Sequence, residues 1–149
     1  TGVQTCALPI FKAPNLVKGI QFEGLRKIGD PSEFALKYYL QGADEIFCAD
    51  IVASLYERNS LLDVINSTTN NVFVPITVGG GIRSIKDVTS ALNAGADKVS
   101  INTAAIKKPD LITEVAEKFG SQCLVLSIQA KYKMVAGRLI MIMGENRAV

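Results

Sequence analysis

Residues 87–106 read DVTSALNAGADKVSINTAAI, and residues 34–54 read FALKYYLQGADEIFCADIVAS; the two stretches align without a gap, Gly42 answering to Gly95 and Glu45 to Lys98. Each runs from a helix end through Gly-Ala-Asp and one charged residue into a short apolar run that closes on a polar or small residue. Helix followed by strand, repeated at even spacing, is the pattern of βα modules laid side by side. An evenly repeated module favours a (βα)8 barrel over a doubly wound open sheet, whose strand order must reverse at a switch point.

Working outward from the repeat, four segments carry helix start and stop signals. DPSEFALKYYLQG offers Asp30 as N-cap, Pro31 at the first helical position, Glu33 as reciprocal cap and Gly42 as the stop. NSLLDVINSTTNN opens at Asn59 or Ser60; SIKDVTSALNAG opens at Ser84, with Asp87 completing a capping box, and ends at Gly95; KPDLITEVAEKFG starts at Pro109 and stops at Gly120. Between them lie EIFCAD, VFVPITV, KVSIN and CLVLSI, apolar on successive residues as parallel strands covered on both faces should be. Pro75 argues against a central position for VFVPITV, because proline cannot donate a ladder hydrogen bond. KYKMVAGRLIMIMGENRAV, at the far end, reads as a hairpin. Strict alternation predicts an α/β parallel sheet with right-handed crossovers.

The composition bounds function mainly by exclusion. With 149 residues, 48% apolar and 20% charged, the chain fits one globular domain. A net charge of +2 is too small to argue for nucleic acid or an anionic membrane, which leaves phosphorylated small molecules open. No run reaches the ~18 apolar residues of a membrane span and no secretory leader is legible, so a cytoplasmic address is expected. Cys6, Cys48 and Cys123 are odd in number and form no CxxC pair, so buried thiols are expected rather than disulfides or a zinc ribbon. Histidine is absent, which removes His-based triads and His-ligated metals; no cofactor and no metal site are expected, and carboxylates, lysines and backbone amides are left to carry chemistry.

Ligands of either α/β architecture bind where strands hand over to helices. Those positions are Asp50, Gly79 to Gly81, Asn102 with Thr103, and Gln129. In TVGGGIRSIKD, Thr77 to Asp87, three glycines in a row let backbone amides approach an anion with no Cβ in the way, and the helix opening near Ser84 adds its positive end. Asn102 and Thr103 on the next strand end could share that anion, which we take to be a phosphate. The plain alternative is a tight loop with no ligand.

These residues resemble the cyclase subunit of imidazole glycerol phosphate synthase, the (βα)8 barrel of histidine biosynthesis. The match runs from NLVKG through GDP, GADE, LLDV, PITVGGGIRS and GADKVSINTAAI to FGSQCLV, covering about Lys12 to Lys131. The resemblance implies that ammonia from a separate glutaminase subunit passes through the barrel. There it reacts with a bis-phosphorylated ribulosyl intermediate to give imidazole glycerol phosphate and an aminoimidazole carboxamide ribotide. It assigns Gly81, Asn102 and Thr103 to one substrate phosphate, Lys18 to a loop that closes over substrate, and Asp50 to an active-site carboxylate. Glu45 and Lys98 are similar to members of a charged ring that gates ammonia at the opposite strand ends, and Asp97 to a docking residue for the glutaminase. Without the resemblance these three would read as solvated loop charges.

The chain departs from the family pattern where the chemistry would need acids. The family's cyclisation relies on two aspartates, ending the first and fifth strands; the corresponding residues are Ile10 and Gln129, and an amide is no general base. Residues 1–11 look unlike a first strand of the family: TGVQTCALPI resembles translated sequencing-adapter read-through and is set aside from fold reasoning, leaving 12–149 as the N-terminal part of a phosphate-binding barrel. A complete barrel takes about 250 residues, so an incomplete barrel of five strands is expected, without the second phosphate site. It would be inactive, and it would tend to self-associate along its open edge. Two rivals remain: a diverged paralogue that delivers ammonia to another acceptor such as a sugar, in which Gln129 is functional, and a non-catalytic phosphate-binding half-barrel.

Overall fold

The computed structural model describes residues 5–7, 10–12, 15–20, 24–50, 59–128, 130–135 and 138–143. Its elements in chain order are β1 (Cys6–Ala7), β2 (Ile10–Lys12), β3 (Asn15–Ile20), β4 (Gly24–Gly29), α1 (Pro31–Leu40), β5 (Glu45–Asp50), α2 (Asn59–Thr69) and β6 (Ile76–Gly79). They continue as α3 (Ile85–Asn93), β7 (Lys98–Ile101), α4 (Thr103–Lys107), α5 (Asp110–Phe119), a 3-10 turn at Ser121–Cys123, β8 (Leu124–Leu126), β9 (Ala130–Val135) and β10 (Arg138–Met143).

The main sheet runs β4-β3-β2-β5-β6-β7-β8, with β1 also paired to β5. From β1 and β2 through β5, β6, β7 and β8 every pairing is parallel and the order follows the chain. An order that never reverses, with crossovers of one hand, brings the helices to one face, which is the arrangement of a barrel wall and not of a doubly wound sheet. Among the described residues five strand positions of such a wall are present, as in an incomplete (βα)8 barrel. Helices and strands share one core: Ile46, Cys48, Ile76, Val78, Val99 and Ile101 pack with Leu61, Ile65, Val88, Leu111 and Val115. Fully burying each such aliphatic side chain is worth roughly 1.5–3 kcal/mol.

The helix signals act locally as expected. Asp30 accepts hydrogen bonds from the Ser32 and Glu33 amides, with Pro31 at the first helical position. Ser84 accepts from the Asp87 amide, but the Asp87 carboxylate reaches back to the Arg83 amide at 2.9 Å, one residue beyond the capping position. The expected hairpin at the chain's far end is β9 with β10, antiparallel from Ala130↔Met143 to Val135↔Arg138.

Several expectations need correcting. Pro75 does not weaken β6, which starts one residue later and sits centrally between β5 and β7; the Pro75 carbonyl accepts from Ile46 at 3.0 Å, a role that needs no amide hydrogen. Continuous burial holds along β6, but β5 alternates, with Ile46, Cys48 and Asp50 buried and Glu45, Phe47 and Ala49 half-buried, so only one face of β5 is fully covered. Cys6 is exposed rather than buried; Cys48 and Cys123 are buried, and burial pushes the Cys48 thiol up to about 12. The N-terminal stretch set aside above supplies β1 and β2, which pair with the free side of β5. An edge strand accepts any extended partner that satisfies its backbone groups.

The Gly-Ala-Asp repeat has a physical purpose that the alignment did not reveal. Asp44 donates its amide to the Thr5 carbonyl at 2.9 Å, and its carboxylate accepts from the Thr5 amide at 2.7 Å. At the second copy Asp97 donates its amide to the Ile76 carbonyl at 2.9 Å and accepts from the Ile76 amide at 2.8 Å. Each aspartate therefore clasps the start of the neighbouring strand, Thr5 just before β1 and Ile76 at the head of β6, closing the ladder where each crossover helix hands over to its strand.

Candidate functional site

Register places the expected ligand residues on adjoining strand exits. Ala49 pairs with Gly79 and Gly79 with Ser100, so Asp50, Gly80–Gly81 and Asn102–Thr103 leave the sheet side by side at its C-terminal rim. The glycine run is explained in part by packing alone. A Cβ on Gly79 would lie 3.0 Å from Phe47 Cζ and 3.3 Å from Ser100 Cβ. On Gly80, where φ is +104°, it would fall 2.0 Å from the Asp50 carbonyl oxygen, an impossible contact. Gly81, at φ +66°, turns the chain toward Ser84 and α3. The positive end of α3 is partly offset by its own Asp87, whose carboxylate holds the Arg83 amide.

Asn102 is the residue that packing leaves unexplained. It stands at the N-cap of α4 yet makes no side-chain capping bond, and its Oδ1 is buried with no hydrogen-bond partner. Turning the amide over would put an NH2 donor at that spot in place of the carbonyl acceptor. An unsatisfied buried polar group costs roughly 1–3 kcal/mol; a ligand hydroxyl or amine would relieve the carbonyl oxygen, and a phosphate oxygen would be met by the NH2 of the turned amide. Thr103 is exposed and opens α4, a helix the sequence patterns did not announce. Asp50 is 7% exposed at the exit of β5 and interacts with other groups of the chain.

Other expected residues lie elsewhere. Lys18 is exposed on β3, opposite Arg26 of β4, in an antiparallel arm and not in an irregular loop; β2 and β5 stand between that arm and β6. Ile10 pairs with Ala49 on β5 and is 39% exposed. Gln129 lies outside the described residues.

At the opposite, N-terminal rim, Glu45 and Lys98 meet, Lys98 Nζ lying 3.0 Å from Glu45 Oε1. The same oxygen accepts from the Thr77 hydroxyl at 2.6 Å. The Thr77 bond is the largest influence on Glu45 and holds its carboxyl below the usual carboxylate range; burial opposes it, and the hydrogen bond and charge of Lys98 add to the lowering. Thr77 was missed in the sequence, although a lone hydroxyl in the otherwise aliphatic run PITVG was a visible signal. Asp97 is at this rim too, with its carboxylate engaged by the Ile76 amide. Among the described residues no cluster of three or more His, Cys, Asp or Glu could hold a metal ion, and no helix is long and apolar enough to cross a membrane.

A parallel sheet in chain order, helices and strands sharing one core, and loops gathered at the strand exits define an α/β protein of barrel type. A family model described as histidine biosynthesis protein matches residues 11–146, and the chain belongs to that family. It is similar to imidazole glycerol phosphate synthase subunit HisF of Legionella pneumophila, 59% identical over 128 residues, which is 86% of this chain and 60% of that protein. It also resembles the subunit of the same name from an Exiguobacterium species, 53% identical over 122 residues, covering 82% of this chain and 48% of the relative. The Nocardia farcinica protein of that name is 50% identical over 119 residues, 80% of this chain and 46% of the relative. The chain thus spans between about half and three-fifths of the length of these relatives.

Proposed function

We propose that the chain is the N-terminal part of a cyclase subunit of imidazole glycerol phosphate synthase. In that role ammonia from a glutaminase partner converts a bis-phosphorylated ribulosyl substrate to imidazole glycerol phosphate and aminoimidazole carboxamide ribotide, in the cytoplasm. The observation that carries the reading is the C-terminal rim, where Gly81 and Asn102–Thr103 leave neighbouring strands and a buried amide atom of Asn102 lacks a partner. Gly81, Asn102 and Thr103, with the Gly79 and Gly80 backbone beside them, take one phosphate of the substrate. Asp50 stands beside it as a carboxylate, and Lys18 belongs to an arm able to bring a cation to an anionic ligand. Glu45 and Lys98 frame the entry of ammonia at the other rim. There Leu40 and Phe73, 74% and 78% exposed, support a protein partner. Asp97 docks that partner only through atoms its clasp on Ile76 leaves over.

Proton transfer in the cyclisation needs groups that titrate, and Ile10 and Gln129 do not. Residues 1–11 we read as foreign to the parent gene, which accounts for Ile10. Ammonia-dependent cyclisation should therefore be undetectable with this polypeptide, and should appear in a version extended to the relatives' full length with Asp at positions 10 and 129. Turnover by the present chain would overturn the assignment of the carboxylates. Inorganic phosphate should slow amide exchange at Gly79 to Gly81, and unchanged exchange at saturating phosphate would remove the site. A paralogue that hands ammonia to a different acceptor is favoured by Gln129 alone; if the extended version with Gln129→Asp still makes no imidazole glycerol phosphate, that reading replaces the first. Among the described residues β8 pairs only with β7, and its Leu126 and the nearby Ile128 are 45% and 67% exposed, so self-association along this edge is expected by sedimentation. A defined oligomer that binds phosphate without any reaction would favour a non-catalytic half-barrel.

A further inference from the structure

Thr77 is fully buried, polar, and set in a strand whose other residues are Ile76, Val78 and Gly79. Its Cα pairs with Phe47 of β5 on one side and with Lys98 of β7 on the other, so it stands between the two charged residues of the N-terminal rim. Both neighbours converge on a single atom, Glu45 Oε1, which receives the Thr77 hydroxyl at 2.6 Å and the Lys98 ammonium at 3.0 Å. The two donors differ mechanically. Thr77 is branched at Cβ, restricted at χ1 and enclosed by packing, whereas the Lys98 side chain is 32% exposed on a flexible four-carbon stem.

We propose that Thr77 is a positioning residue: its hydroxyl holds the Glu45 carboxylate in place at the rim whether or not Lys98 is bound to it. The Asp97 clasp on Ile76 supports this, because it locks the β6–β7 register one residue before Thr77. The charged and titratable groups near Glu45 among the described residues are Lys98 on β7 and Cys6 on β1, whose Cα pairs with that of Glu45. Asp44 and Asp97 flank the cluster, with their carboxylates turned to the Thr5 and Ile76 amides. The positional claim stands on this geometry; its consequence, a fixed carboxylate beside the path of ammonia, rests on the cyclase reading.

Carbon-13 NMR titration of the Glu45 carboxyl in the whole chain tests it, comparing the unmutated protein with Thr77→Ser, Thr77→Val and Lys98→Met. Thr77→Ser should keep the depressed titration, Thr77→Val should move it up toward the ordinary carboxylate range, and Lys98→Met should leave it still below that range. An unchanged titration in Thr77→Val, or a full return to the ordinary range in Lys98→Met, overturns the proposal. If Thr77→Val does not fold, Lys98→Met decides: Glu45 must still titrate below the ordinary range there, and a full return to that range refutes the anchor. None of these readouts involves turnover, so failure of the cyclase reading leaves them intact, and their failure leaves the cyclase reading intact.

Discussion

The two rims of the sheet handle polar groups in opposite ways. At the N-terminal rim the chain satisfies itself: Thr77 and Lys98 share one oxygen of Glu45, and the Asp44 and Asp97 carboxylates close on backbone amides. The C-terminal rim instead combines glycines pressed against neighbouring backbone with a buried Asn102 atom that has no partner. The difference teaches where to look for a ligand. A network with its bonds complete gains nothing from a small anion, whereas an incomplete one is stabilised by whatever supplies the missing partner.

That contrast can be broken or sharpened by mutation, most severely at Gly80. Gly80→Ala combines a left-handed φ with a Cβ 2.0 Å from the Asp50 carbonyl oxygen, and should cost about 3 kcal/mol or more in urea unfolding. Gly42→Ala, at φ +89° with open space around it, should cost only about 1 kcal/mol. Equal losses would mean that the C-terminal rim is not packed as tightly as described. Asp97→Ala, which opens the clasp on Ile76, should lose about 1–2 kcal/mol by the same measurement; a neutral result would leave the aspartate available for a purely intermolecular role.

A smaller loss, about 1 kcal/mol, is expected for Asp30→Ala through the N-cap of α1. The Ser32 hydroxyl bond, ahead of the backbone amides of Glu33 and Ser32, holds the Asp30 carboxyl below its usual range against a contrary effect of burial. A depressed carboxyl contributes stability that is complete above the pKa of the unfolded chain and disappears as pH falls through the lower folded value. The gap between wild type and Asp30→Ala should therefore close in acid, and a gap that persists there would contradict the charge-based cap. The smallest effect on stability is expected at Asn102, where removing an unsatisfied atom should change unfolding by no more than about 0.5 kcal/mol. Asn102→Ala should nevertheless abolish any rise in melting temperature on adding inorganic phosphate. A large loss of stability without ligand would show that the amide has an internal partner after all, and would erase the contrast between the rims.

Much of this architecture is legible from one-dimensional pattern, because its causes are local. Asp30, Ser84 and Gly120 mark helix ends through contacts within a few residues, and the Gly-Ala-Asp echo marks the module. The strand-exit candidates Gly81, Asn102 and Thr103 were legible for the same reason: in a βα unit, chain order alone assigns the ligand end. The sequence was less informative about Lys18, whose antiparallel arm depends on which strand edge it finds, and about α4, which carries no capping signal.

By itself the sequence determined the βα alternation, the boundaries of the capped helices and the family, since periodicity, caps and turn glycines act over a handful of residues. Only the tertiary structure decided that Gly80 lies against Asp50 and that Asp97 clasps Ile76. It alone joined Thr77 to Glu45 and Lys98, residues 32 and 53 positions from Glu45 along the chain. Those contacts exist because parallel register sets distant residues side by side, and no local preference encodes which polar group will find the other.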